Sequence, residues 1–172
     1  MIYILPTDTC FGIGCSIHNV DDYKKIYTLK KRPFSKPLAI MVESYDFLEK
    51  HTFLTPSQKE FLKNYKRPFT ILLNTKTNFL SESLPNKNCY KKIAFRIANK
   101  EIQKNLINMI GPFFLTSANI GGETEIYKKD ELPFVEDETI KFLIENDLEI
   151  VPPSDIFEFI GTTTKTLYIR KY

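Results

Sequence analysis

The chain has 172 residues, of which 42% are hydrophobic and 26% charged, and its net charge is +3. This composition excludes an intrinsically disordered chain, and the length is typical of one domain with a substantial core. So small a positive charge indicates at most an anionic ligand and does not support binding to genomic DNA. We therefore expect a single domain over residues 1–172.

The predicted elements alternate between strands and helices. A first helix is predicted after Asn19, which can cap it, and a second after Thr55, which opens a capping box and is followed by Pro56. A third helix is expected from Asn99 to Ile110, where a Gly-Pro pair stops it. Short apolar runs predict strands at Ile2–Leu5, Leu38–Val42, Phe69–Leu73, Ile93–Ile97 and Phe113–Leu115.

The second half of the chain is richer in extended segments. Asp137 is placed to cap a helix that ends near Glu145. The segment Asn74–Lys92 is long and polar, and we expect it to be a mobile loop. Short extended pieces follow at Glu149–Val151, Ile156–Ile160 and Leu167–Ile169. Strands separated by helices, with a β-rich end, predict one α/β domain built on a mixed sheet.

The cysteine content bears on metal binding, and the first residues bear on the location of the protein in the cell. The three cysteines form no CxxC motif and only two histidines accompany them, so we predict no metal site. Free thiols are typical of a reducing compartment. The apolar run Met1–Leu5 is too short for a signal peptide or a membrane span, and Pro6 ends it. We expect a cytoplasmic protein that makes no membrane contact.

A cluster of cations follows the first predicted helix, in the run Lys30-Lys31-Arg32-Pro33-Phe34-Ser35-Lys36-Pro37. Cations near a helix C-terminus often only complement the helix dipole and stay solvated. Here two prolines stiffen the loop, so part of the ordering cost is met before a ligand arrives. The run therefore suits a polyphosphate ligand.

A second polar segment follows a predicted strand and reads Thr116-Ser117-Ala118-Asn119-Ile120-Gly121-Gly122. It lies at the carboxyl end of that strand, where α/β sheets commonly bind ligands. Hydroxyl, amide and close main-chain N–H donors complement phosphate oxygens. Neither a P-loop nor a dinucleotide-binding GxGxxG motif is present.

Two further features have alternative interpretations. The run Pro6-Thr7-Asp8-Thr9 is either a plain turn or, if extended, a surface whose two threonines face one side and bind a small polar substrate. Arg96 lies within an apolar strand, where an unpaired charge is costly. It either pairs with a structural carboxylate or points into a pocket as a carboxylate or phosphate clamp.

Taken in order, these segments resemble the YrdC/TsaC family of threonylcarbamoyl-AMP synthases. The paired KxR and SxN signatures are specific to that family, and the resemblance spans nearly the whole chain. The matching segments are Pro6–Thr9, Phe11–Cys15, Lys30–Leu38, Pro68–Thr70, Arg96, Thr116–Asn119 and Pro153–Ile156.

The resemblance implies an α/β fold in which a twisted mixed sheet with flanking helices forms a positively charged concave surface. It also implies a reaction in which L-threonine, bicarbonate and ATP, with Mg²⁺, give threonylcarbamoyl-AMP and pyrophosphate. Partner transferase proteins of that pathway then modify an adenosine in tRNA, and direct tRNA binding by this chain stays open.

The resemblance also assigns residues. Thr9 and Thr116 would contact threonine, and Arg96 would bind its carboxylate. Lys30, Arg32 and Arg96 would carry the catalytic charge stabilisation. The predicted ATP-binding residues are Lys30, Arg32, Lys36, Ser117, Asn119 and Ser154, with Arg170 as a weaker candidate.

Several departures from the family pattern leave alternatives. The chain begins almost at its first strand, which would leave one sheet edge open or filled by a partner. Lys66-Arg67-Pro68 replaces a common Pro-Gly-Pro, and Asp155 follows Ser154 where Thr is common. A carboxylate there would repel phosphates unless it binds Mg²⁺ or points away. The alternatives are an RNA-binding module without ATP turnover and a paralogue with altered chemistry.

Overall fold

The computed structural model describes all of residues 1–172 and contains one nine-stranded sheet. Its strands are β1 (Ile2–Pro6), β2 (Phe11–Ser16), β3 (Ala39–Val42), β4 (Phe69–Leu73), β5 (Ile93–Ile97), β6 (Phe113–Ser117), β7 (Ile140–Phe142), β8 (Asp155–Phe159) and β9 (Thr166–Arg170). The helices are α1 (Val20–Leu29), α2 (Tyr45–His51), α3 (Pro56–Asn64) and α4 (Glu101–Ile110).

The sheet is mixed, as predicted. Its strand order is β7-β1-β2-β6-β3-β5-β4-β8-β9. The pairs β1–β7, β3–β5 and β4–β8 are parallel, and the remaining pairs are antiparallel. Strands far apart in the chain therefore lie side by side, and the last two strands form one edge.

Local capping explains where the helices begin. The Asn19 side chain accepts a main-chain N–H of the first turn of α1 at 2.9 Å, and Thr55 with Gln58 forms the capping box of α3. Both predictions are confirmed. The cap predicted at Asn99 is wrong, because the N–H of Asn99 donates to Gln103 Oε1 at 2.9 Å and α4 begins two residues later.

The helix predicted after Asp137 is also wrong. The Asp137 carboxylate accepts from the N–H of Thr139 at 3.0 Å and from its hydroxyl at 2.6 Å, and it pairs with Lys25 at 2.7 Å. These bonds close a local turn instead of a helix cap. The chain then enters β7, which pairs with β1.

Besides β7, two elements escaped prediction, β2 and α2. In β2, a Cβ at Gly14 would stand 2.1 Å from the carbonyl oxygen of Phe114, so this glycine lets β2 and β6 approach. The short helix α2 is capped by Ser44, whose hydroxyl accepts the N–H of Phe47 at 3.2 Å. The segment Asn74–Lys92, expected to be mobile, is instead anchored by the buried side chains of Leu80, Leu84 and Asn86.

Side-chain alternation gives the sheet two different faces. Ile2 and Ile4 belong to the larger core, which packs beneath α1, α2 and α3. Tyr3 and Leu5 point the other way and pack with α4. The smaller core beneath α4 takes residues from β1, β3 and β6 but none from β4, β8 or β9.

The α4 face is therefore only partly covered. Met41 of β3 lies in the smaller core, and its register partner on β5 is Arg96, which points to the same side. Farther along the sheet, Leu72 pairs with Ala94, and Thr70 pairs with Ile156. These uncovered strands form the floor of an open concavity.

Candidate active site

A cavity of about 660 Å³ occupies the open half of the α4 face. Its walls come from the turn after β1, the loop after α1, the end of β6 and the segment around β8 and β9. The structure thus brings together residues from distant parts of the chain. The predicted site residues that line the cavity are Thr9, Arg32, Lys36, Arg96, Thr116, Ser117, Ser154 and Arg170.

Another cavity, of about 640 Å³, lies between Leu29 and residues 134–139. Its charged side chains are all acidic: Glu136, Asp137 and Glu138. That sign of charge disfavours phosphate, and no predicted site residue lies there. The candidate site is therefore the cavity on the open face, which we call the sheet cavity.

Arg96 pairs with a carboxylate of the protein and also reaches the cavity, while its role as a ligand clamp stays a prediction. Its guanidinium forms an ion pair with Asp8 and donates to the hydroxyl of Ser154 at 3.1 Å. The same side chain, 12% exposed, lines the sheet cavity. Pairing with Asp8 offsets the cost of placing this cation in an apolar strand.

The turn after β1 presents Asp8 to Arg96. The Thr7 hydroxyl accepts the N–H groups of Thr9 at 3.1 Å and Cys10 at 3.3 Å, and it donates to the Cys10 carbonyl at 2.7 Å. The two threonine hydroxyls lie 3.1 Å apart. Thr7 and Thr9 thus face one side, as one alternative proposed, but through a turn and not through an extended segment.

The loop Lys31–Pro37, here called the basic loop, leaves α1 through a Schellman motif. Lys31 adopts a left-handed φ of 50°, and its N–H donates to the Thr28 carbonyl at 3.1 Å. The N–H of Arg32 donates to the Tyr27 carbonyl at 2.9 Å. The Arg32 guanidinium then folds over its own loop, with Nε 2.9 Å from the Lys36 carbonyl oxygen.

Lys30 does not line the sheet cavity. Its side chain is buried, and Nζ donates to the main-chain carbonyls of Ser117 and Asn119. Burial, reinforced by the nearby charge of Arg32, lowers the pKa of Lys30 to about 8. The KxR and SxN motifs therefore meet directly, through the ammonium group of one and the backbone of the other.

Asn119 also lies behind the cavity wall. Its Nδ2 donates to the carbonyls of Ile120 at 3.1 Å and Glu123 at 2.6 Å, while the buried Oδ1 has no partner. The N–H of Gly121 donates to the Lys30 carbonyl at 2.7 Å. Lys30 and Asn119 therefore fix the loop after β6, and their contacts with ATP stay predictions.

Ser154 joins the two arginines on the far wall. Its hydroxyl is 3.1 Å from Arg96 Nη1 and 3.2 Å from Arg170 Nη2. Arg170 also donates twice to the Ser154 carbonyl, at 3.0 and 2.8 Å. The serine is buried, so its hydroxyl orientation is set by these cations and by Thr70, 3.3 Å away.

Asp155 points away from the sheet cavity. Its buried carboxylate accepts from Tyr65 Oη at 2.7 Å, Arg67 Nε at 3.1 Å and the N–H of Tyr172 at 2.8 Å. Burial alone would raise the pKa of Asp155, but these donors outweigh it and hold the pKa below its usual value. Two departures from the family pattern, Arg67 and Asp155, thus pair with each other, and repulsion of phosphates does not arise.

Sequence reasoning missed part of the lining. Glu125 and Tyr127 reach the cavity from the segment after the paired glycines, where they flank the buried Ile126. The alternation of polar and apolar residues over positions 125–127 is the signal that could have identified them. The other lining residues with polar side chains that had no assigned role are Cys10, Ser35 and Thr70.

The fold and the cavity define a class of protein: an α/β domain whose half-covered mixed sheet carries a cavity lined by arginine, lysine and hydroxyl groups. Comparison then identifies the family. The family described as telomere recombination (Sua5, YciO and YrdC) matches residues 1–171, and the chain belongs to it. The predicted resemblance is confirmed.

Individual proteins are also similar to this chain in sequence or in fold. A threonylcarbamoyl-AMP synthase of Haemophilus influenzae is 32% identical over 133 residues, covering 74% of this chain and 70% of that protein. A Methanocaldococcus jannaschii relative is 32% identical over 132 residues, which are 76% of this chain and 60% of its own length. The crystal structure of P. abyssi Sua5 complexed with L-threonine has a TM-score of 0.78 at 24% identity, covering 98% of this chain and 49% of that one.

The four helices are too short or too polar to serve as membrane spans.

Proposed function

We propose that this chain is an L-threonylcarbamoyladenylate synthase, which forms threonylcarbamoyl-AMP and pyrophosphate from L-threonine, bicarbonate and ATP. The observation that carries the proposal is the sheet cavity, in which Arg32, Lys36, Arg96 and Arg170 surround one space together with threonine and serine hydroxyls. Support comes from relatives that are named threonylcarbamoyl-AMP synthases.

The proposed nucleotide end is formed by the basic loop and the β8–β9 wall. Arg32 and Lys36 would neutralise phosphate charge from one side, and Arg170 from the other. Ser117 at the end of β6 adds a hydroxyl donor. Mg²⁺ commonly binds substrate phosphates in place of a dedicated protein cage, so it would arrive with ATP. Glu125 is the carboxylate that lines the cavity, and it would be the protein ligand for this ion.

The proposed amino-acid end is formed by the turn after β1. Thr9 and Thr116 offer hydroxyls of a size suited to threonine, and Arg96 offers a guanidinium for its carboxylate. The substrate carboxylate would share this guanidinium with Asp8 or replace it. The ion pair with Asp8 supports this role, because the Arg96 guanidinium already faces a carboxylate.

The chemistry needs positioned charge more than a protein nucleophile. The neutral amine of threonine and bicarbonate form a carbamate with loss of water, and a carbamate oxygen attacks the α-phosphorus of ATP, releasing pyrophosphate. Arg32 and Lys36 would stabilise the charge that develops on the leaving group. Arg96 would hold the threonine carboxylate, which aims the carbamate at the phosphorus. Transfer of the product to tRNA adenosine by partner transferase proteins belongs to the same proposal.

The decisive experiment is pyrophosphate release from ATP, Mg²⁺ and bicarbonate with and without L-threonine, with mass analysis of the nucleotide product. Threonine-dependent release and a threonylcarbamoyl-AMP mass are expected. Arg32→Ala should abolish turnover, whereas Lys24→Ala, which removes an exposed cation of α1, should not. ATP binding without turnover would favour the altered paralogue, and salt-sensitive RNA binding without ATP binding would favour the RNA-binding module.

A further inference from the structure

Behind the basic loop, four side chains form one hydrogen-bonded cluster: Tyr23, Tyr27, Asn86 and Tyr90. Tyr23 Oη donates to Asn86 Oδ1 at 2.7 Å, and it lies 2.9 Å from Tyr27 Oη and 2.8 Å from Tyr90 Oη. Tyr23, Tyr27 and Asn86 are buried. None of the four lines the sheet cavity, so none can touch a ligand there.

Tyr27, Asn86 and Tyr90 each make a hydrogen bond to the main chain at or next to the basic loop. The ring of Tyr27 also stacks on that of Phe34, with centroids 4.4 Å apart. These bonds run from Asn86 Nδ2 to the Phe34 carbonyl at 2.7 Å, from Tyr27 Oη to the Lys36 carbonyl at 3.0 Å, and from the Leu38 N–H to Tyr90 Oη at 3.0 Å.

One direction satisfies every hydrogen bond of the cluster except the contact between Tyr23 Oη and Tyr27 Oη. The Tyr27 hydrogen goes to the Lys36 carbonyl and the Tyr23 hydrogen to Asn86, so no hydrogen lies between these two oxygens. The Leu38 amide can only donate, so Tyr90 accepts it and gives its own hydrogen to Tyr23. Tyr23 then donates to Asn86 Oδ1, which turns the Asn86 amide hydrogens toward Phe34 and Tyr27. Burial raises the pKa of Tyr23 and of Tyr90, so both remain protonated donors at neutral pH.

The Lys36 carbonyl connects the cluster to Arg32, which lines the cavity. The Lys36 carbonyl accepts from Tyr27 Oη at 3.0 Å on one side and from Arg32 Nε at 2.9 Å on the other. The orientation of the Arg32 guanidinium therefore depends on a main-chain group that Tyr27 holds. The Lys36 side chain itself is exposed.

We propose that this cluster is a positioning device for triphosphate binding, which holds the basic loop in its binding conformation before the ligand arrives. Asn86 and the three tyrosines are positioning residues, and the segment Asn74–Lys92 exists in part to supply Asn86 and Tyr90. A preorganised loop loses less conformational entropy on binding, so affinity rises without a new ligand contact. The identity of the ligand as ATP rests on the proposed function.

The test compares Tyr27→Phe and Tyr90→Phe with Tyr45→Phe as a matched control. Tyr45 Oη also donates to a main-chain carbonyl, that of Leu62 at 3.3 Å, but far from the basic loop. Calorimetric titration with ATP–Mg²⁺ and separately with L-threonine gives the two affinities. Each cluster variant should weaken ATP binding about fivefold, the effect of one buried hydrogen bond, and leave threonine binding unchanged. The control should bind both ligands as the wild type does.

Hydrogen exchange on the unliganded proteins provides a readout that needs no ligand. The amides of Lys36 and Leu38 should exchange faster in both cluster variants and not in Tyr45→Phe. Unchanged exchange, or faster exchange with unchanged ATP affinity, would overturn the positioning role. Failure of the wild type to bind ATP would contradict the proposed function, while the exchange rates would still decide whether the cluster holds the loop.

Discussion

Lys30 and Arg32 lie two residues apart in one motif but have different environments. The Arg32 side chain is half-buried and lines the sheet cavity, whereas the Lys30 ammonium is buried against main-chain carbonyls of the loop after β6. A flexible lysine stem can place its ammonium group deep in the protein, and its pKa then responds to burial. One cation of the motif therefore supports the cavity wall from behind, and the other lines the cavity.

The lowered pKa of Lys30 predicts a pH effect on stability. In the folded chain the pKa is about 8, against 10.5 for the ordinary group, so between these values the unfolded chain binds more protons. The contribution of Lys30 to stability therefore rises with pH across this window, by on the order of 3 kcal/mol.

Urea unfolding at pH 7.5 and pH 9.5 can isolate the Lys30 contribution. The change in unfolding free energy between the two pH values should be more positive for the wild type than for Lys30→Met, which removes the titrating group. Other titrating groups cancel in this comparison. An equal change in both proteins would mean that Lys30 titrates normally.

Arg96 gives the second prediction at the scale of single residues. Arg96→Ala removes the guanidinium that pairs with Asp8 and lines the cavity, so threonine affinity should fall at least about tenfold, the loss expected for a charge-assisted hydrogen bond. ATP affinity should change less. Calorimetric titration with each ligand measures both effects.

The melting temperature of Arg96→Ala separates binding from folding, and Lys92→Ala is the matched control. Lys92 is a half-exposed cation that pairs with Glu158, outside the sheet cavity. Loss of folding by Arg96→Ala with unchanged threonine affinity in its folded fraction would make Arg96 purely structural.

At the scale of elements, the β8–β9 edge depends on one buried carboxylate. Asp155 binds Tyr65 and Arg67 from the segment before β4 and the main chain of Tyr172 after β9. Because its neighbour Ser154 contacts Arg96 and Arg170, any shift of this edge would disturb the far wall of the cavity. A residue that points away from the site therefore helps to hold it.

Asp155→Asn should destabilise the protein by about 2–3 kcal/mol at neutral pH, because Arg67 and Tyr65 lose a buried anionic partner. The pKa of Asp155 is lowered on folding, so its stabilisation is present above the ordinary value of 3.8 and is lost as pH falls through the folded value. The wild type should therefore lose stability below about pH 4 more steeply than Asp155→Asn. Denaturant titrations at pH 3 and pH 7 measure both effects, and parallel pH profiles would refute the assignment.

The pairing of β2 with β6 gives a matched pair of glycine variants. A Cβ at Gly14 would lie 2.1 Å from the Phe114 carbonyl oxygen, whereas a Cβ at Gly12 would meet the flexible end of Leu115 at 2.7 Å. Backbone cannot yield as a side chain can, so Gly14→Ala should cost more than about 2 kcal/mol and Gly12→Ala about 1 kcal/mol or less. Thermal unfolding of both variants checks the order, and equal losses would mean that the sheet adjusts at Gly14.

At the scale of the whole molecule, the sequence predicts the pieces better than their assembly. Apolar runs locate most strands, and side-chain caps locate α1 and α3, because these signals are local. The parallel pairing of β7 with β1 depends on residues more than 130 positions apart, such as Ile2 and Ile140, and no local pattern reports it. Gly12 and Gly14 lie within β2, but glycines in so short a segment are locally more typical of a turn.

The candidate site shows the same contrast between local features, which the sequence predicts, and long-range contacts, which it does not. Motifs identify which residues gather around the sheet cavity, including Arg32 and Arg96, because those residue types suit anions. Motifs do not report which side chains are buried, so the hydrogen bonds from the Lys30 ammonium group to main-chain carbonyls were not predictable. The pairing of Arg67 with Asp155 across 88 positions was equally hidden, since each looked like an isolated departure.

The parallel pairing of β4 with β8 joins residues 69–72 to residues 155–158. During synthesis, the strand that completes the cavity wall leaves the ribosome long after its partner, and Arg170 leaves later still. Until then β4 has one neighbour in the sheet, β5, and an unsatisfied edge. The nascent chain therefore lacks a complete sheet cavity, and a ligand of that cavity cannot assist folding until residues 155–170 have emerged.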